Sequence, residues 1–342
     1  MTIDSRISRR HFLAAAAASG LSAPALVQAQ QELREVRIAK QFGISYLPLL
    51  VMEDKQMLER RARAAGLGDV RVQWLQFAGG APINDALIGG NLEFAGGGVG
   101  PMITLWARTR TNLRVRGVAA INSMPLYLNT VNPNVRTLRD FTERDRIALP
   151  AVRVSIQAVT LQMACEQAFG AGQHGRLDNI TVSMSHPDAT SAMLSGRSEI
   201  TAHFGSPPFQ NQQLRDNRAR RVLSSYEVLG GPSSFNFMWT TTRVREQSPK
   251  TYRAFFDALN DSLDWINANT REAAELYIRM DRSNLPLDFV EALLNDPDHE
   301  FTLVPKNTMK YAEFMARTGT ATAKPDTWKD LFFPELHGMT GS

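Results

Sequence analysis

From residue 36 onward the apolar positions switch repeatedly between two spacings. Runs with strand character occur at "VRIAKQF" (36–42), "VRVQWLQ" (70–76), "LEFAG" (92–96) and "LRVRGVAAI" (113–121). Between them, apolar residues three and four apart predict helices near 47–65, 82–89 and 100–108. The same grammar then repeats: "RIAL" (146–149), a helix near 155–169, "NITVSM" (179–184), a helix near 188–195, "EITAHF" (199–204), a helix near 207–214 and "RRVLSS" (220–225). "FNFMWTTT" (235–242) returns to strand character, and the remainder reads as helices at 249–268, 270–280, 286–294 and 307–316. Ser248-Pro249 and Asn269-Thr270 are good helix starts, with Pro249 in a first turn where its missing N–H costs nothing.

Strand–helix alternation at this spacing predicts an α/β fold whose strands are parallel and covered by helices. Two units of one grammar predict two lobes with a ligand between them, at the carboxyl ends of the strands. The boundaries expected are 30–125 and 231–342 for lobe I and 126–230 for lobe II. The chain crosses near 125–131 and returns near 226–236. Pro125 and Pro133 in one crossing, and Gly230, Gly231 and Pro232 in the other, suit hinges.

The first residues are of another kind. "RRHFLAAAAASGLSAPALVQA" places a twin-arginine pair, Arg9 and Arg10, before a short alanine-rich apolar run, with small residues at Val27 and Ala29 before Gln30. This predicts a twin-arginine-type signal peptide over 1–29, cleaved near Ala29/Gln30. Its loss removes Arg6, Arg9, Arg10 and Asp4 and lowers the formal charge from +4 to +2. A near-neutral chain without basic blocks is not built for nucleic acid, and no apolar run reaches the ~18 residues of a transmembrane helix. Arg60, Arg61 and Arg63 read as the polar face of a helix. The single cysteine, Cys165, allows no internal disulfide. An exported, unanchored chain is expected in the periplasm.

The loops after the strands carry the candidate chemistry. "GISYLP" (43–48) offers Ser45 and Tyr46 before a helix, and "FAGG" (77–80) offers Gly79 and Gly80 for close backbone approach. "FAGGGVGPMI" (94–103) offers Gly98 and Val99, with Gly100 as the expected N-cap and Pro101 as the first helical residue. Unpaired N–H groups there would attract an acceptor or anion. In the second unit, "PAVRVSIQ" (150–157) offers Val154 and Ser155, a capping serine, and "AHFGSPPF" (202–209) offers His203 and Phe204 on opposite faces. Each loop alone is explained equally well by turn chemistry. Enzyme motifs are absent: "GISYL" lacks the second glycine of a nucleophile elbow, and "GGGVGP" lacks the Gly-Lys-Ser/Thr of a phosphate loop. The six histidines, at 11, 174, 186, 203, 299 and 337, have no metal-ligand spacing. No catalytic residue, metal or cofactor is expected.

"RIAKQFGISYLPLLVMED", "LIGGNLEFAGGGVGPMITLWA", "RIALPAVRVSIQAVTLQMACEQAFG" and "AMLSGRSEITAHFGSPPF" together resemble the substrate-binding proteins of ABC importers. The resemblance is to the nitrate, sulfonate and taurine type, related to the thiamine-precursor-binding proteins, and covers roughly residues 36–280. It implies a type II periplasmic binding protein fold, two α/β lobes joined by two hinge segments. It also implies cleft closure on a small solute, delivery to a membrane permease and its ATPase, a monomer, and no chemistry on the ligand. Family sites fall on the loops already named: Ser45, Tyr46, Gly79, Gly80, Gly98, Val99, Val154, Ser155 and His203. A sulfonate or nitrate would want strong donors, with Arg153 the best-placed arginine if it does not face outward. A pyrimidine or other aromatic would instead stack on Tyr46, Phe204 and Trp239. Pyrimidine synthases of related fold rely on a cysteine-rich motif, which one cysteine and a secretion signal argue against. A periplasmic hydrolase using Ser45 or Ser155 with His203, and a ligand-sensing subunit of a membrane signalling system, are the alternatives from other classes.

Overall fold

Two sheets carry the chain, and each repeats one strand order. The computed structural model describes residues 31–342; the expected signal peptide and its cleavage point lie outside the described residues. The strands are β1 (Glu35–Lys40), β2 (Arg71–Gln76), β3 (Ala95–Gly98), β4 (Arg116–Ala120), β5 (Tyr127–Thr130), β6 (Ile147–Leu149), β7 (Thr181–Ser183), β8 (Ala202–Phe204), β9 (Arg220–Ser224) and β10 (Asn236–Thr240). The helices are α1 (Leu47–Asp54), α2 (Met57–Ala64), α3 (Gly80–Ile88), α4 (Val99–Arg108), α5 (Ile156–Phe169), α6 (His186–Ser195), α7 (Phe209–Gln213), α8 (Ser225–Leu229), α9 (Thr242–Gln247), α10 (Pro249–Ala268), α11 (Thr270–Met280), α12 (Leu287–Leu294) and α13 (Thr308–Arg317).

β1 and β2 pair in parallel, and a parallel bridge from Ile38 to Phe94 carries β1 to the edge of β3. β3, β10 and β4 follow in that order, with β10 antiparallel to both neighbours. The second sheet runs β7-β6-β8-β5-β9, with β5 antiparallel to both of its neighbours. In each sheet the reversed strand is the first one made after the chain crosses from the other. The sequence pattern foretold the parallel strands. It missed β5, because Pro125 and Pro133 on either side mark that segment as a crossing.

The chain passes from β4 to β5 through 121–126 and returns from α8 to β10 through 230–235. These segments lie side by side. Ser123 bridges both Ser234 and Glu300, and Asn122 accepts from the N–H of Asn236 through its side chain and from that of Phe235 through its backbone. Gly230 and Gly231, at φ 72° and 145°, close α8 in conformations that a side chain would strain.

The expected helix at 47–65 is broken, because Gln56 takes a left-handed φ of 48° between α1 and α2. α4 begins two residues before expectation: Gly98 and not Gly100 is its N-cap, so Pro101 is its third residue. Pro101 still lies in the first turn, where its missing N–H breaks no helical bond. The helices after β10 return to the first sheet, where α10 packs on α1 and α2 and α11 packs on α1. α13 lies against both α4 and α5, and Arg317 pairs with Glu166 of α5. Phe255 of α10 is fully buried, with its ring centroid 3.8 Å from that of Phe94. Truncation of Phe255 to alanine leaves a void under the sheet. We expect a loss of about 3–5 kcal/mol, read as a lower urea midpoint at unchanged slope.

Candidate functional site

The carboxyl ends of the parallel strands meet in one seam. β1 ends into Gln41, Phe42 and Tyr46; β2 leads to Gly79 and Gly80 at the start of α3; β3 ends at Gly98, the N-cap of α4. From the other sheet β6 leads to Pro150 and to Ser155, the N-cap of α5, and β7 leads to Ser185, the N-cap of α6, with His186 its first residue. β10, running the opposite way, begins at this edge with Asn236. Gln41, Phe42, Tyr46, Gly80, Gly98, Pro101, Pro150, Ser155, Ile156, Gln157, His186, Phe235 and Asn236 line the small cavity of about 20 Å³ that remains. That volume holds about one water.

The seam is this tight because three positions in it, Gly79, Gly98 and Gly100, carry no side chain. A Cβ on Gly79 would stand 2.7 Å from the Pro150 carbonyl oxygen, one on Gly98 2.8 Å from Ile156, and one on Gly100 2.3 Å from the Val154 carbonyl oxygen. All three distances are below van der Waals contact, so glycine is a condition of the two sheets meeting here.

No lysine, arginine, aspartate or glutamate lines the cavity. Its polarity comes from neutral groups. Tyr46 donates from Oη to Asn236 Oδ1 at 3.2 Å, and Asn236 Nδ2, fully buried, has no partner. Burial pushes the Tyr46 phenol well above its ordinary pKa, so it stays a donor. α3, α4, α5 and α6 all begin at the cavity, which brings the positive ends of four helix dipoles to one place. Ser155 spends its hydroxyl oxygen on the Ala158 N–H, holding the start of α5.

His186 stacks on Phe209, with ring centroids 5.9 Å apart, and its Nδ1 lies 2.8 Å from Nε2 of His203. His203 in turn meets Gln213 through Nδ1. Both rings are fully inside the protein. Desolvation lowers His186 to about 3, and it holds His203 well below the ordinary imidazole range, with the neighbouring His186 adding to the effect.

Of the residues named from sequence, Tyr46, Gly80, Gly98 and Ser155 line the cavity. Gly79 and Val154 lie at the seam beside it, each against the opposite loop. Ser45 is buried behind Tyr46, where its backbone oxygen accepts from Asn122 Nδ2. Val99 and Phe204 are wholly in the core, and His203 stands behind His186. Arg153 is exposed and absent from the lining, and Trp239 lies in the core. Gln41, Phe42, Gln157, His186, Phe235 and Asn236 were missed. "SHPD" (185–188) held a signal for His186, since a capping serine and a second-position proline after a strand mark a helix start at the same edge.

A larger pocket, about 400 Å³, carries Arg110, Arg114, Arg116, Arg245 and Lys324 beside Trp106 and Phe333. It lies at the amino end of β4 and the carboxyl end of α4, the edge opposite the seam. Its cations are largely matched, Arg114 by Glu246 at 3.3 Å and Arg245 by Glu335 at 2.9 Å. Among the described residues no group of three histidine, cysteine or acidic side chains is placed to hold a metal ion.

No family model matches the chain. It is 23% identical over 309 residues, 88% of this chain and 86% of the other, to a Bacillus subtilis (strain 168) protein named for aliphatic-sulfonate binding. Among solved structures it is similar to the alkanesulfonate-binding protein SsuA of Xanthomonas axonopodis pv. citri bound to MOPS: TM-score 0.67, 17% identity, 86% of this chain and 96% of that one. The periplasmic aliphatic sulphonate binding protein SsuA of Escherichia coli gives TM-score 0.64 at 15% identity, over 90% of this chain and 99% of that one. The periplasmic nitrate-binding protein NrtA of Synechocystis PCC 6803 gives 0.66 at 12% identity, over 87% and 84%. The chain therefore has the fold of the periplasmic binding proteins.

The buried histidines make stability depend on pH with a definite sign. Their folded pKa values lie below the unfolded value near 6.5, so the unfolded chain binds protons that the folded chain excludes, and stability falls as pH drops below ~6.5. We expect each such histidine to cost on the order of 1 kcal/mol between pH 6.5 and 5.5. Denaturant titrations at both pH values check this, and His203→Gln should lose less across the interval than the parent.

Proposed function

We propose that this chain is the solute-binding component of an ABC importer, taking a small anion of the sulfonate or nitrate class between two closing lobes. The observation that carries this reading is the seam itself: four helix starts and a set of neutral donors converge between two sheets, with no catalytic pair among them. The names of the similar proteins point to the same ligand class. In this reading residues 30–125 and 231–342 move as one lobe and 126–230 as the other, hinged at 121–126 and 230–235. A twin-arginine signal over 1–29 delivers the chain to the periplasm, where it acts as a monomer and hands its ligand to a permease and ATPase.

A cavity of about 20 Å³ admits no sulfonate, so the ligand enters an open form and the lobes close on it. Because it touches both lobes only when they are closed, it shifts the population towards closure. Helix dipoles and neutral N–H groups suit this task. They hold an anion strongly enough to close the lobes, without a buried cation to leave uncompensated when the ligand departs.

A hydrolytic role finds no support in the contacts. The Ser155 oxygen caps α5, the ring nitrogens of His203 are engaged by His186 and Gln213, and neither Ser45 nor Ser155 is hydrogen-bonded to a histidine among the described residues.

Thermal-shift titration of the mature protein with methanesulfonate, taurine and nitrate should raise the melting temperature with at least one of them, following the mass-action law for a ligand of the folded state. Stabilisation by none would sink the proposal. Gly100→Ala tests closure separately. The new methyl would strike the Val154 carbonyl, so we expect an intact fold, at least tenfold weaker binding, and no ligand-induced compaction in small-angle scattering. Undiminished affinity in that variant would show that the seam does not close on the ligand.

A further inference from the structure

The proton positions in the His186–His203 pair are dictated by atoms well behind the cavity. The backbone oxygen of Gln210 can only accept, and it lies 2.9 Å from Asn129 Nδ2, so that atom is the amide nitrogen. Its second hydrogen points at Gln213 Oε1, 3.0 Å away, which must therefore be the oxygen. Gln213 Nε2 then faces Thr190 Oγ1 at 2.9 Å and His203 Nδ1, and it donates to both. Turning either amide over would set donor against donor, or acceptor against acceptor, at sites with no exposed surface.

The consequence passes from ring to ring. His203 Nδ1 accepts, so its proton sits on Nε2. That proton is donated across 2.8 Å to His186 Nδ1, which leaves the His186 proton on Nε2. Among the described residues the hydrogen-bond neighbour of His186 Nε2 is the Gln157 side-chain amide at 3.4 Å, which no second contact pins in one orientation. Both side chains line the cavity, where Asn236 Nδ2 is unpartnered.

We propose that Gln213 and His203 are positioning residues that lock His186 as the Nε2–H tautomer, making His186 the donor that selects an oxyanion head for the ligand. This rests on the function proposed above and names what in the site would read the ligand class. His186 then offers an N–H that one oxygen of a sulfonate or nitrate can accept, while a ligand presenting an ammonium or amide N–H to that atom meets a donor. Burial keeps both rings neutral at ordinary pH, so His186 acts through the direction of its hydrogen bond and not through a positive charge of its own.

Long-range proton–nitrogen correlation spectra of the ¹⁵N-histidine-labelled mature protein at pH 7 read the tautomers directly, with His186→Gln and His203→Gln assigning the signals. Both rings should be neutral with the proton on Nε2; an Nδ1–H signal from either overturns the proposal. Gln213→Met removes the orienting donor. Its His203 and His186 signals should show mixed tautomers, with methanesulfonate affinity down about threefold to tenfold; spectra identical to the parent overturn the relay. If that variant does not fold, the parent spectrum alone decides the relay. Adding methanesulfonate to the parent should shift the His186 Nε2–H resonance. Binding without that shift overturns the donor role and leaves the proposed function standing. A folded protein that binds no anion overturns the function, while the tautomers still decide the relay.

Discussion

Backbone meets backbone where the two sheets face each other, and most of the site's properties follow from that contact. Gly98 and Gly100 have no room for a methyl group against Ile156 and Val154, and Gly79 has none against Pro150. Close approach of this kind brings peptide dipoles to within reach of one point, which longer side chains would prevent. It also leaves little space, so the closed seam cannot admit a solute by diffusion. Opening is thus part of the account from the start, and the paired crossings at Ser123, Ser234 and Glu300 are where it would turn.

The electrostatic character of the seam is the second consequence. With no ionised side chain in the lining, attraction for an anion would have to come from helix starts and neutral donors. An unpaired buried cation would carry a large desolvation cost whenever the site stood empty. Neutral donors avoid it, but they must point the right way, and an imidazole with two tautomers does not do so unaided. The amides of Asn129 and Gln213 supply that orientation, anchored on the Gln210 backbone oxygen.

The strand–helix alternation was legible because each element is buried on one face at a regular spacing. The repeated grammar in 36–121 and 146–225 corresponds to two sheets of the same strand order. β5, between Pro125 and Pro133, and α8, followed directly by Gly230, Gly231 and Pro232, were not legible because those residues mark crossings, and neither was the left-handed break at Gln56. At the seam, loops after strands led to Tyr46, Gly80, Gly98 and Ser155, which line the cavity. Side-chain direction was the gap. Val99 and Phe204 sit on the right loops but turn into the core, and His203 is one ring removed from the cavity. The polar groups of Gln157 and Asn236 matter through partners 29 to 190 residues away, which no local pattern records.

A site without cationic side chains that selects negative charge through oriented N–H groups would separate an anion from its neutral analogue. Calorimetric titration of the mature protein with methanesulfonate and with dimethyl sulfone tests it most directly, since the two share a sulfonyl group and differ in charge. We expect methanesulfonate to bind at least a hundredfold more tightly. Equal affinity for the uncharged sulfone would contradict it.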